Sequence, residues 1–366
     1  MKSTSLGLVV AALLLFGACG GQKKGHRSSS DDKSAYPLIT EAYMTDYNKA
    51  DDVDSPTIWH GQNGEHWIIS VCKTSDRLLV HDALTGSFIR AIGVSGSGPG
   101  QFNRPNSVAV IDAYAIVVER DNHRLQVFRL PEWTVLGSFG DSALIKPYGI
   151  AVTRDSVGYR LYVTDNYETP DEGTPHDSEL GRRVKILSLT IDGKNINGAL
   201  VSAFGATEGE GVLHNVESIC VDTSRGRIFI ADEGQSFRDF KIYDMEGMFC
   251  GMLGSGVFRY QPEGIVIYSC PDGSGYYICV DQDFADNTFQ VFDRETLEHL
   301  GAFSGVATTN SDGIALTQEA FGKFPEGVFV AVNNDGGLSS LDWKSVADSL
   351  KLVHRCPPLI EEIPQP

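Results

Sequence analysis

A four-strand unit repeats six times along this 366-residue chain, and that repetition constrains the fold more than any other feature. The third strands read LLVHD (78–82), LQVFR (125–129), VKILS (184–188), FKIYD (240–244), FQVFD (289–293) and, more weakly, LSSLD (338–342). They recur roughly every 50 residues, the period of a four-stranded propeller blade. First strands begin at PTIW (56–59), NSVAV (106–110), YGIAV (148–152), ESICV (217–221), EGIVI (263–267) and DGIAL (312–316). Second strands follow at HWIIS (66–70), YAIVV (114–118), RLYVT (160–164), RIFIA (227–231), YYICV (276–280) and GVFVA (327–331). These are β-branched and aromatic runs bounded by Gly, Asp and Ser, with no helical period between them. An all-β, six-bladed β-propeller of four-stranded antiparallel blades is the expected fold. Residues 36–45 or the tail from Lys351 are both placed to supply the outer strand that closes the ring.

The N-terminus is an address. Lys2 precedes an apolar run from Leu6 to Ala18, too short to span a bilayer. Phe16-Gly17-Ala18-Cys19 resembles a bacterial lipoprotein box, with Phe where Leu is usual. The expected organisation is a signal peptide over 1–18, a polar tether over 19–35, the propeller over 36–350 and a tail over 351–366. A lipid on Cys19 would be the only membrane attachment of a monomer held at the cell envelope. Of the six remaining cysteines, Cys270 and Cys279 flank a hairpin turn and are the expected bridge, whereas Cys72, Cys220 and Cys279 lie on strands that favour buried thiols.

The formal net charge of −18 and the lack of a basic stripe argue against nucleic acid. In an antiparallel blade the start of strand one and the end of strand two share one face. The first-strand starts carry Asp54, Asn106, Tyr148, Glu217, Glu263 and Asp312. The second-strand ends carry Lys73, Arg120 with Asp121, Asp165, Asp232 with Glu233, Asp281 with Asp283, and Asn334 with Asp335. Turn-forming Asp and Asn are common at strand ends, but glutamate is no turn former, and Glu217 and Glu263 share one repeat position. Such a mouth calls for cations, and hard oxygens without thiol or histidine clusters favour calcium over zinc. The glycine-rich GSGSGPG (94–100) precedes no helix and is a plain loop.

Several stretches carry a family resemblance. ESICVDTSRGRIFIADE (217–233), PEGIVIYSCPDGSGYYICVDQD (262–283), FQVFDR (289–294), SDGIALTQEAFGKFPEGVFVAVNND (311–335) and LDWKSVAD (341–348) resemble the β-propeller phytases. ADDVDSPTIW (50–59) is similar to that family's aspartate–aspartate–proline–alanine–isoleucine–tryptophan motif. The resemblance implies a calcium-dependent phosphomonoesterase that hydrolyses inositol hexakisphosphate. It implies calcium at Asp54, Glu217, Asp232, Glu233, Glu263 and Asp312, contacts to phosphate from Lys73 and Arg120, and an active-site tyrosine at Tyr148. Several calcium ions would reverse the sign of the mouth toward a substrate carrying about −9 to −12 and activate a water held by Glu217.

The chain departs from the family pattern at Ser55, Asn166 and Asn333, where aspartate, lysine and aspartate are usual. GSGPGQFNRPNSVAV (96–110) and DNHRLQVF (121–128) resemble NHL-type binding repeats. A calcium-dependent propeller lactonase and a non-catalytic NHL-like surface-binding propeller therefore stand as alternatives.

Overall fold

The computed structural model describes residues 36–234 and 238–356; the expected leader, Cys19 and tether lie outside them, as does the tail beyond 356. Six separate sheets follow one another along the chain, each with four antiparallel blade strands. The first blade runs Val53–His60, His66–Cys72, Arg77–Asp82 and Phe88–Ile92 from axis to rim. The other five repeat that order, and each inner strand touches the next, with the sixth touching the first. The ring is closed and the expected propeller is observed.

Packing explains why the strands are so apolar. Every blade face except those at the axis and rim is pressed against another blade. Six apolar clusters fill the six inter-blade gaps, such as Ile116, Val118, Leu161 and Leu187 between the second and third blades. Middle strands are buried on both faces and read as continuous hydrophobic runs; Tyr114–Glu119 and Val328–Asn333 are examples. Each fully buried aliphatic side chain contributes about 1.5–3 kcal/mol.

Closure falls to the N-terminal segment. Tyr43–Met44 pairs antiparallel with Gly337–Asp342 and becomes the outer strand of the sixth blade. The Tyr43 hydroxyl donates to the Ala83 carbonyl of the first blade, 2.5 Å away. Leu38–Ile39 adds a parallel fifth strand to the fifth blade. The tail takes another path: Asp342 caps the helix Trp343–Leu350 by accepting from Ser345 N–H (3.2 Å) and Oγ (2.9 Å). That helix drops the fully buried Trp343 onto Tyr268, with ring centroids 4.8 Å apart.

The disulfide differs from expectation. Cys270 bonds Cys356 of the tail, and Cys279 is a buried free thiol. The two candidate cysteines face different gaps. Cys279 packs with Phe229 and Phe240 between the fourth and fifth blades, whereas Cys270 packs with Trp343 between the fifth and sixth.

The helix is therefore part of the fifth–sixth gap rather than an appendage. Trp343→Ala should cost about 3–5 kcal/mol, read as a lower urea midpoint. An unchanged midpoint would show that the helix adds nothing to the ring.

Candidate functional site

A repeated backbone irregularity aims the site residues. In five blades the pairing of the first two strands slips where the first strand begins, at Asp54/Pro56, Pro105/Ser107, Pro147/Ile150, Val216/Ile219 and Pro262/Ile265. Such bulges bend a strand and re-aim its side chains. Asp54, Asn106, Tyr148, Glu217 and Glu263 occupy these slips, and Asp312 precedes the corresponding strand Ile314–Thr317.

The residue after each is Ser or Gly: Ser55, Ser107, Gly149, Ser218, Gly264 and Gly313, all lining an axial channel of about 340 Å³. Space leaves little choice. A Cβ on Gly149 would lie 2.3 Å from the Glu217 carbonyl oxygen, one on Gly264 2.8 Å from that of Asp312, and one on Gly313 2.6 Å from Ser55 Cα. Small residues at this position let neighbouring inner strands close up, which sets the ring residues side by side.

The result is a carboxylate cluster. Glu217, Glu233 and Glu263 each bring an oxygen within 4.8 Å of the other two. Glu263 is buried, Glu217 and Glu233 are half-buried, and Oε1 of Glu233 is buried without a hydrogen-bond partner. Burial and then the Glu233 charge push Glu217 well above the usual carboxylate range, and the same causes, joined by Glu217, push Glu263 up. Burial drives Glu233 up to about 7 against hydrogen bonds from Glu263 and Glu217. Asp312 rises to about 8 through burial and the charge of Asp54. This donor set, all hard oxygens with one orphaned, fits a hard cation such as calcium.

Lys73 closes the opposite side. Its Nζ lies 3.0 Å from Asp54 and 3.7 Å from Asp52. Burial acts to lower this ammonium, but Asp54, Asp312 and Asp52 more than offset it and hold it raised. The Tyr148 hydroxyl donates to Asp54 at 3.4 Å; burial and then Glu217 keep it protonated.

Two expected residues have other partners. Asp232 is fully buried, and its oxygens accept the backbone N–H groups of His214 (3.0 Å), Asn215 (2.9 Å) and Gly234 (3.1 Å). Arg120 reaches the same end of the propeller, where its Nε donates to Asp121 at 2.7 Å.

Other residues join that carry no role in the sequence reading. Asn106 is fully buried in the ring with both amide atoms unpartnered. Gln282 donates to Asp312. Arg238 lines a cavity of about 470 Å³ beside Glu233 and Tyr260. Asn106 carries a signal, since it shares the repeat position of Glu217; Arg238 lies on a loop outside the repeat.

The departures from the family pattern have structural explanations in two cases. Ser55 holds the small-residue position of its blade. Asn333 accepts from Thr309 N–H at 3.0 Å, the loop-capping task that Asp165 and Asp281 perform in theirs. Asn166 donates to Asn215 Oδ1 at 2.6 Å. The NHL-like residues of the second blade are consumed internally: Arg124 donates to the carbonyls of Ser97, Gly98 and Gln101 and to Glu119.

Residues 193–354 match the Phytase family model. The resemblance to that family is borne out over this stretch, which holds Glu217, Glu233, Glu263 and Asp312 of the cluster. Lys73, Arg120, Tyr148 and Asp54 precede it. No curated protein matches the chain. Among solved structures, a nidogen/laminin complex chain is 15% identical, covering 73% of this chain and 85% of that one with a TM-score of 0.46. A BBS1N chain in complex with ARL6DN is 10% identical, covering 83% and 96% with a TM-score of 0.49.

The raised carboxylates make a signed prediction. Glu233 and Asp312 ionise near 4.5 and 3.8 when unperturbed, against about 7 and about 8 in the fold. Between those values the folded chain holds protons that the unfolded chain has lost, so metal-free stability falls as pH rises through that window. Melting temperature in chelator should drop from about pH 5 to about pH 8, and calcium should remove most of that slope. Identical slopes with and without calcium would contradict the charge assignment.

Proposed function

We propose that this protein hydrolyses phosphate monoesters of inositol hexakisphosphate with calcium held at the propeller mouth. The observation that carries the reading is the three-glutamate cluster, Glu217, Glu233 and Glu263, inside the stretch that matches the phytase model. Asp54 and Asp312 extend the same ring and would complete the ligand set. Calcium, when bound, supplies positive charge that draws a polyanion in and polarises phosphoryl oxygens.

The chain's own groups divide the remaining work. Lys73 offers a fixed ammonium on the wall opposite the glutamates, where it offsets charge on a transferring phosphoryl group. Tyr148, kept protonated, is a hydrogen-bond donor toward the same space. Arg120 becomes a second cation for phosphate once it releases Asp121. Arg238 offers a third on the rim of the 470 Å³ cavity, beside Glu233. Glu217 would hold the ion together with Glu233 and Glu263 and orient a water for attack. Lys73 in the mouth favours phosphate chemistry over lactone hydrolysis, which needs no cationic clamp. We further propose that Cys19 carries a lipid and holds a monomer at the cell envelope.

Purified protein should release inorganic phosphate from inositol hexakisphosphate with calcium and none in excess chelator. Glu217→Gln and Lys73→Ala should each lower the rate by about 10²-fold or more in protein that remains folded by circular dichroism. No release at saturating calcium from folded protein would overturn the proposal.

A further inference from the structure

The opposite end of the propeller holds a second cluster with different chemistry. His60 ends the strand Val53–His60, His66 opens the strand His66–Cys72, and the two face each other directly across the hairpin. Their Nδ1 atoms lie 2.6 Å apart. The sixth blade reaches in from the other side: Thr317 Oγ1 is 2.8 Å from His60 Nε2 and accepts the Glu319 N–H at 3.2 Å. One ligand atom from each of His60, His66 and Glu319 lies within 4.8 Å of the other two. Phe321 fixes both rings, stacked on His66 at 4.7 Å and tilted on His60 at 5.2 Å. Histidines do cluster in this chain, contrary to the expectation from sequence, but away from the mouth.

Two imidazole nitrogens this close cannot both present lone pairs unless a proton or a metal lies between them. In the tautomer where His60 Nε2–H donates to Thr317, Nδ1 carries the lone pair turned toward His66, the arrangement in which an outer partner sets the tautomer of a metal-binding histidine. Two imidazoles and one carboxylate suit a borderline transition metal, whereas calcium takes oxygen ligands. We propose that His60, His66 and Glu319 bind one divalent transition-metal ion of the zinc class, with water completing the shell. Zn–N bonds of about 2.0–2.1 Å place tetrahedral ligands about 3.3 Å apart, so the imidazole pair opens slightly to admit the ion.

The location gives the ion a task. His60 and His66 belong to the first blade, and Glu319 follows the inner strand of the sixth, the sheet completed by Tyr43–Met44. Metal at this seam cross-links the two ends of the chain where the ring closes.

The test is calorimetric titration of Zn2+ into the full chain with calcium saturating, which occupies the hard-oxygen mouth. One Zn2+ per chain is expected, with a rise in melting temperature. His66→Ala should weaken binding by about 100-fold or more, and the exposed Glu319→Gln by about tenfold, on the scale that ligands and their partners command. Glu217→Gln should leave Zn2+ binding unchanged. Glu319→Gln decides the matter if His66→Ala fails to fold. No Zn2+ binding under calcium, or binding indifferent to His66→Ala and Glu319→Gln, would overturn the proposal.

Discussion

Like charges brought together at one end of a rigid ring are the constraint on which the rest of this structure turns. Asp54, Glu217, Glu233, Glu263 and Asp312 share a mouth partly withdrawn from water, where repulsion between them is far stronger than on an open surface. Only a frame that cannot splay will hold them there. The frame is supplied by six inter-blade clusters and by small residues beside the axis, where Gly149, Gly264 and Gly313 leave no room for a Cβ. Protons relieve the repulsion when no metal is present, which is why Glu233 and Asp312 ionise near neutrality. A cation relieves it better.

Alternation along the second strand divides labour at the mouth. Glu119, Asp165, Asp232, Asp281 and Asn333 lie at or next to the ends of their strands with side chains accepting backbone N–H groups of the preceding loop. Each is followed by a residue on the other side: Arg120, Asn166, Glu233, Gln282 and Asn334. In five of the six blades one residue thus secures the loop, and in the fourth the next, Glu233, is left to the carboxylate cluster. Glu233 joins the metal-fitting cluster while its neighbour Asp232 does not, although both are acidic and adjacent. Asn333 performs the capping task as an amide.

Much of this was legible in the sequence because the signal was repeated. Four-strand units of β-branched and aromatic runs, repeated six times at matched spacing, leave few folds available, and glutamate twice at one repeat position marks a ring. What was not legible depends on single events in space. A closing strand of two residues, Tyr43–Met44, has no pattern to detect. The Cys270 partner lies 86 residues away, brought near by a helix whose docking depends on Trp343. Asp232 and Glu233 are indistinguishable until the strand register decides which faces the axis. His60 and His66 flank a turn, a visible cue, yet Glu319 joins them only through ring closure.

The most direct measurement is anomalous scattering from crystals grown in calcium. The account predicts calcium within about 2.3–2.6 Å of oxygens from Glu217, Glu233 and Glu263, with Asp232 still bonded to its loop. Calcium absent from the mouth, or bound elsewhere with the three glutamates unliganded, would contradict it.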